Sequence, residues 1–125
     1  MQLLLDTHIL LWWLADDPTL SMTLRHAIRD KVNVVFVSAV SVWEIAIKKA
    51  LGKLVIPDYL FDAIHSSGFE ALNITFAHAE LAGQLPDYHA DPFDRMLIAQ
   101  ARLESLTLVT HDKRIRQYEV ETLSG

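Results

Sequence analysis

The chain has 125 residues, of which 51% are hydrophobic and 22% are charged, a composition typical of one globular domain and not of a disordered segment. It contains no cysteine, which excludes a disulfide framework, a zinc site with cysteine ligands and a thiol nucleophile. Sixteen Asp and Glu residues against eleven Lys and Arg residues give a net charge of −5, so no excess of positive charge indicates a nucleic-acid partner.

The start of the chain has neither a membrane segment nor the pattern of a signal peptide. Its longest apolar run covers residues 9–15, far short of the ~20 residues that cross a bilayer. A signal peptide begins with basic residues, whereas the first charge here is Asp6. We therefore expect a single domain over residues 1–125, located in the cytoplasm and without a membrane partner.

Apolar runs with strand periodicity and helix periodicity alternate along the first part of the chain. The predicted elements, in order, are a strand at 2–5, a helix at 8–14, a turn at 16–18, a helix from Ser21 or Thr23 to about Asp30, and a strand at 33–37.

The alternation continues, and glycine, proline and capping residues mark the helix ends. The elements that follow are a helix from Ser38 or Ser41 to about Leu51, a helix at 58–66, a strand at 69–74, a helix from Thr75 to about Leu85, a polar loop at 86–90, a helix from Asp91 to about Ser105, and strands at 106–110 and 118–123.

Strands that alternate with helices pair in parallel, because each helix carries the chain back across the sheet. The pattern therefore predicts an α/β fold, a Rossmann-like three-layer α/β/α sandwich with a central parallel sheet. It leaves the order of the strands open. Ligands of such sheets bind at the edge formed by the carboxyl ends of the strands.

Four carboxylates fall at this edge, although they come from distant parts of the sequence. Asp6 ends the first strand, and Asp112 follows the strand at 106–110. Glu44 lies early in the helix after the second strand, and Asp94 lies in the first turn of a later helix. Converging carboxylates repel one another and need a cation to offset the repulsion. An all-carboxylate site suits Mg²⁺ or Mn²⁺.

Each acid taken alone also has a structural interpretation. Ser41 and Glu44 have the spacing of a capping box, and Glu44 can pair with Lys48 one turn later. Asp91 is placed to cap a helix. Asp6 fits no such role well, because an unpaired carboxylate beside apolar segments is costly to bury. The six histidines form no HxH or HxxxH pair, so a zinc enzyme has little support.

Four blocks of the sequence each combine apolar residues with at least one acid. They are Leu4 to His8 (LLDTH), Ser38 to Ile45 (SAVSVWEI), Asp91 to Ala101 (DPFDRMLIAQA) and Leu108 to Asp112 (LVTHD). In this order they resemble the PIN-domain family, and within it the VapC-like toxins of type II toxin–antitoxin modules. The blocks span nearly the whole chain, with an acid at each position that the family pattern requires.

The resemblance implies a PIN fold and a magnesium-dependent endoribonuclease that is inhibited by a small antitoxin protein. It implies that four acids carry catalysis and metal binding: Asp6, Glu44, Asp94 and Asp112. Thr110 matches a hydroxyl residue that supports the last acid, and Asp91 is an additional acid nearby. The cofactor expected from the resemblance is Mg²⁺, with Mn²⁺ as a substitute, and the substrate is RNA.

Two other functions remain open at this stage. In a Rossmann-like metal-dependent phosphohydrolase, Asp6 would be a covalent nucleophile, but His8 stands where such sites usually have a second Asp. In a non-catalytic interaction module, the apolar helix at 9–14 would bind a partner. Trp12 and Trp13 in that helix also favour a homodimer or antitoxin interface, because aromatic residues are enriched in interface cores.

Overall fold

The computed structural model describes residues 1–125 and contains a five-stranded sheet, six α-helices and one 3₁₀ helix. The elements, in chain order, are β1 (Gln2–Leu5), α1 (Thr7–Leu14), α2 (Met22–Arg29), β2 (Val34–Ser38), α3 (Ala39–Ala50), α4 (Leu60–Ser66), β3 (Glu70–Leu72), α5 (Phe76–Gln84), α6 (Pro92–Leu103), β4 (Thr107–Val109), the 3₁₀ helix η1 (Ile115–Gln117) and β5 (Thr122–Leu123).

All strands of the sheet are parallel, in the order β3-β2-β1-β4-β5. β1 is therefore the central strand: its Leu3 is in register with Val35 of β2 and with Thr107 of β4. The apolar sequence of β1 explains this position, because a central strand of a parallel sheet is covered on both faces. The predicted parallel sheet is confirmed, and the structure supplies the order.

Helices cover both faces of the sheet and build a hydrophobic core on each. Leu3 and Leu5 of β1 belong to the core that α1, α2 and α4 complete, whereas Leu4 belongs to the core that α6 completes. Alternate residues of one strand thus anchor opposite layers, as the pleat of a strand requires. This arrangement is the predicted three-layer α/β/α sandwich. No helix combines the length and the hydrophobicity that a membrane crossing demands.

The start of α3 shows which of two candidate serines caps this helix. Ser38, the last residue of β2, keeps an extended backbone, and its hydroxyl accepts a hydrogen bond from the Val40 N–H at 3.0 Å. The helix therefore begins directly after the strand, and the capping box predicted for Ser41 and Glu44 is wrong. At the other end, Gly52 has a φ of +71°, the left-handed conformation expected after a helix.

The last predicted strand, 118–123, is wrong over most of its length. Only Thr122 and Leu123 pair with β4. Tyr118 instead closes the turn of η1, with its N–H donating to the Ile115 carbonyl at 3.1 Å, and it is buried in the core beside α6. The alternating apolar pattern of this segment thus arises from burial of Tyr118 and not from strand pairing.

Candidate functional site

Asp6 lies between β1 and α1, at the carboxyl edge of the sheet. Its Oδ1 accepts a hydrogen bond from the Ile9 N–H at 2.8 Å, so Asp6 caps α1. Its side chain is almost fully buried. Burial raises the pKa of Asp6 above its usual value, although hydrogen bonds from Thr110 and Ile9 act in the opposite direction. The carboxyl is thus held in place at an electrostatic cost.

Asp94 lies in the first turn of α6, where Asp91 caps the helix. Asp91 Oδ1 accepts hydrogen bonds from the N–H groups of Phe93 (2.8 Å) and Asp94 (3.1 Å). The capping role predicted for Asp91 is confirmed. Burial, followed by repulsion from Asp91 and from Asp6, raises the pKa of Asp94 to about 6.

Asp112 lies in the loop after β4. Its N–H donates to the Thr110 hydroxyl at 3.0 Å, and Thr110 itself is fully buried. Burial alone would raise the pKa of Asp112, but hydrogen bonds from the Arg114 side chain and backbone outweigh it and hold the pKa below its usual value. Asp112 is therefore the acid of this edge that stays ionised most readily.

These three aspartates meet in one pocket of about 270 Å³. They come from the ends of β1 and β4 and from the start of α6, which the fold brings to the same edge of the sheet. Rings form one side of the pocket: Trp12 packs against His111 with their centroids 5.6 Å apart, and His8 lies 6.1 Å from Trp12.

Glu44 lies in the second turn of α3 and does not line this pocket. It is buried, and its Oε1 accepts a hydrogen bond from the Thr7 hydroxyl at 2.6 Å. Its other oxygen pairs with Lys48, which confirms the predicted pair one helical turn apart. The hydrogen bond to Glu44, with attraction from Asp91 and Asp94, raises the pKa of Lys48. The Lys48 ammonium group thus balances part of the acidic edge.

A residue that the sequence did not predict also belongs to the cluster. His89 Nε2 lies 2.7 Å from Asp94 Oδ2 and 3.4 Å from Asp112 Oδ2, and the His89 ring is buried. A search for pairs of histidines misses it, because its partners are carboxylates from two different elements. The signal present in the sequence is its position in the loop just before the Asp91 cap.

The donor set fits a divalent cation. Carboxylate oxygens of Asp94 and Asp112 lie within 4.8 Å of each other and of a ring nitrogen of His89, and Asp6 opens into the same pocket. Burial, together with repulsion from Asp91 and Asp6, raises the pKa of Asp94, and a bound cation would offset the repulsion. Carboxylate oxygens are the ligands that hard divalent cations prefer.

Comparison with known proteins gives matches that cover nearly the whole chain. The PIN-domain family model matches residues 3–121. Ribonuclease VapC22 of Mycobacterium tuberculosis (strain ATCC 25618 / H37Rv) is 32% identical over 118 residues, which cover 92% of this chain and 90% of that protein.

Solved structures share the fold at lower sequence identity. VapBC2 from Rickettsia felis, bound to a DNA fragment from its promoter, has a TM-score of 0.75 and 17% identity, covering 99% of this chain and 98% of that one. VapBC-1 from nontypeable Haemophilus influenzae has a TM-score of 0.69 and 18% identity, covering 99% and 98% of the two chains. The family-model match over residues 3–121 and the 32% identity to ribonuclease VapC22 show that the chain belongs to the PIN-domain family.

Proposed function

We propose that the chain is a metal-dependent endoribonuclease, the toxin of a toxin–antitoxin pair. The observation that carries this proposal is the meeting of Asp6, Asp94 and Asp112 in one pocket at the carboxyl edge of the sheet. Membership of the PIN-domain family and the similarity to a protein named as a ribonuclease support it.

The proposed metal is Mg²⁺, with Mn²⁺ as a substitute, and four acids form its environment. Asp6 and Asp94 would hold the ion directly, Asp112 would complete the set directly or through water, and Glu44, which does not line the pocket, would contribute through water. When bound, the ion polarises the phosphodiester and lowers the pKa of the attacking water. Thr110 supports Asp112 through the hydrogen bond to its backbone.

The protein's own groups prepare this site before RNA arrives. The cap on Ile9 fixes the Asp6 carboxyl, and the Asp91 cap fixes the first turn of α6 that carries Asp94. The low pKa of Asp112 keeps one acid ionised. Carboxylates at the pocket accept the proton that the attacking water loses. Because water is the nucleophile, the reaction needs no cysteine and no covalent intermediate.

The proposed partners are RNA as substrate, a small antitoxin protein as inhibitor, and a second copy of the chain in a homodimer. One solved structure with this fold is named as a toxin–antitoxin complex from Klebsiella pneumoniae, which supports the antitoxin as a partner. In the structure the apolar helix α1 packs on the core, with Ile9 and Leu10 buried and Trp12 and Trp13 partly buried. A free apolar helix, on which an interaction module would depend, is therefore not present.

Cleavage of single-stranded RNA tests the proposal. We expect a panel of RNAs to be cut in Mg²⁺ and to stay intact in EDTA. Asp94→Asn, which removes a metal-binding charge and nearly preserves the shape of the side chain, is expected to abolish cleavage while circular dichroism remains unchanged. Asp62→Asn, at an exposed acid of α4, is the matched control and should cut like wild type. Full activity of folded Asp94→Asn would contradict the metal role.

A further inference from the structure

We infer that His89 is a positioning residue for Asp94 and Asp112, and that Arg95 and Tyr118 hold His89 in place. The inference rests on the proposed function, since it concerns the same carboxylates. Neither Arg95 nor Tyr118 touches the acids of the pocket through a hydrogen bond. Their polar atoms instead bind the backbone of the loop between α5 and α6 that carries His89.

The His89 ring is oriented by a contact on each side. Its Nδ1 faces the Asp91 N–H at 3.5 Å, so Nδ1 is the acceptor and Nε2 carries the hydrogen. Nε2 donates this hydrogen to Asp94 Oδ2 at 2.7 Å, and Asp112 Oδ2 lies 3.4 Å away. One N–H group is thus placed between two carboxylates that would otherwise repel each other.

Tyr118 fixes the backbone of His89 from the side of η1. The Tyr118 hydroxyl accepts a hydrogen bond from the His89 N–H at 2.9 Å and donates one to the Pro86 carbonyl at 2.6 Å. Tyr118 is buried, and its ring packs edge-on against Tyr88 at 5.1 Å. The buried Tyr118 side chain therefore connects the two ends of the segment 86–89.

Arg95 fixes the same loop from the first turn of α6. Its guanidinium donates to the carbonyls of Leu85 (2.9 Å), Pro86 (3.1 Å) and His89 (3.2 Å). A guanidinium group has five donors in a fixed plane, which allows it to hold several carbonyls at once. Arg95 and Asp94 are neighbours in sequence, so α6 supplies both an acid of the site and the clamp for the histidine beside that acid.

This arrangement has a consequence for metal binding. Residues that hydrogen-bond metal-ligating groups fix their orientation, and their loss typically weakens metal affinity or activity about 10- to 100-fold. His89 Nε2 lies 2.7 Å from Asp94 Oδ2 and 3.4 Å from Asp112 Oδ2, so it links the two carboxylates. Loss of His89 should therefore lower metal affinity even where the fold is unchanged.

Calorimetric titration of the full chain with Mn²⁺ tests the inference, with circular dichroism and thermal melting in EDTA as controls of folding. We expect His89→Leu, which keeps bulk but has no donor, to weaken Mn²⁺ binding about 10- to 100-fold. His89→Gln, whose amide can donate to Asp94, should recover most of the lost affinity. His65→Leu, at an exposed histidine of α4, should bind Mn²⁺ like wild type.

Tyr118→Phe tests the clamp independently of whether His89→Leu folds. Removing only the hydroxyl should weaken Mn²⁺ binding by a smaller factor and should have no further effect when combined with His89→Leu, because Tyr118 acts through His89. Unchanged Mn²⁺ affinity in folded His89→Leu or in folded Tyr118→Phe, or fully additive effects in the double variant, would overturn the inference.

Asp94→Asn, measured in the same titration, distinguishes a failure of the positioning role from a failure of the proposed metal site. If Asp94→Asn loses Mn²⁺ binding and His89→Leu retains it, the positioning role is wrong and the proposed function stands. If both variants bind Mn²⁺ like wild type, the metal site itself is wrong, and the proposed function fails with it. RNA cleavage by His89→Gln at near wild-type rate would agree with the positioning role.

Discussion

The environment of Asp94 and its proposed role have opposite effects on the ionisation of its carboxyl group. Its carboxyl is largely buried and lies near two other acids, so ionisation in the metal-free protein is unfavourable and its pKa is raised to about 6. The proposed function needs the same carboxyl ionised, because only the carboxylate attracts a cation strongly. Burial of Asp6 raises the pKa of that acid as well. The site is thus strained without metal and relieved by it.

This strain predicts how the stability of the metal-free protein depends on pH. The pKa of Asp94 is raised from 3.8 to about 6 on folding, so the folded state binds this proton more tightly than the unfolded state. The stabilisation is complete below pH 3.8 and is lost as the pH rises through about 6. It amounts to about 1 to 3 kcal/mol of unfolding free energy.

Urea unfolding in EDTA at several pH values, for wild type and Asp94→Asn, measures this effect. The free energy of unfolding of wild type should fall relative to that of Asp94→Asn between pH 4 and pH 6, the interval between the two pKa values. Asp112 has a lowered pKa and acts in the opposite direction, but only at lower pH. A constant difference between the two proteins across this interval would contradict the raised pKa.

The acids of the site could be found from the sequence because each occupies a recognisable local position. Asp6 follows an apolar run, and Asp91 and Asp94 lie in the pattern of a cap, a proline and a first turn. His89 lies in a loop without periodicity, and its position just before the Asp91 cap does not by itself indicate a role. Its role depends on Tyr118, which is distant in sequence, and contacts of this kind become visible only when the chain is folded.

At the scale of elements, a polar contact between α1 and α3 positions Glu44. The Thr7 hydroxyl donates to Glu44 Oε1 at 2.6 Å and lies 3.0 Å from the Ser41 hydroxyl, with all three groups buried. The sequence offered Ser38 and Ser41 as equal candidates for the cap of α3. Only the fold distinguishes them, because Ser41 finds its partner on another helix.

Thr7→Val should therefore destabilise the protein by about 1 to 3 kcal/mol, because buried polar groups lose a hydrogen-bond partner. The effect should be smaller in a Ser41→Ala background, with a coupling of at least about 0.5 kcal/mol in a double-mutant cycle. Chemical denaturation measures both values, and Thr19→Val at an exposed threonine is the control. Zero coupling would show that the Thr7 and Ser41 hydroxyls do not stabilise each other.

For the whole molecule, the acidic edge links metal binding to stability. The proposed Mg²⁺ site exists only in the folded chain, so Mg²⁺ stabilises the fold by RT ln(1 + [Mg²⁺]/Kd), about 2.7 kcal/mol at about 100 times Kd. For a domain of this size the expected increase in Tm is on the order of 5 to 10 °C. Thermal melting in EDTA and in Mg²⁺ measures it.

Asp6→Asn gives a sharper form of this measurement. The amide keeps a side-chain oxygen to cap α1 but removes a buried charge, so the variant should melt at a higher temperature than wild type in EDTA. It should also gain less from Mg²⁺ than wild type gains. A variant that melts lower in EDTA and gains as much from Mg²⁺ would make Asp6 a structural residue alone.

The layers of the molecule could be predicted from the sequence, but the strand order could not. Alternating runs specify local elements, and the connection rules for parallel strands leave a small set of arrangements. The pairing of Leu3 with both Val35 and Thr107 depends on packing between distant segments. Tyr118 shows the same difference between local pattern and tertiary packing. Its local pattern predicts a strand, but it is buried beside α6 and does not pair in the sheet.

The pairing of β1 with both an early and a late strand also determines the order in which the site can assemble during synthesis. Ribosomes extend a chain from its N-terminus at roughly 5 to 20 residues per second, so β1 can pair with β2 well before Thr107 and the rest of β4 exist. During this interval the nascent chain holds Asp6 and lacks Asp112. On the proposed function, the acids of the site therefore come together only after β4 and the loop that follows it have been made.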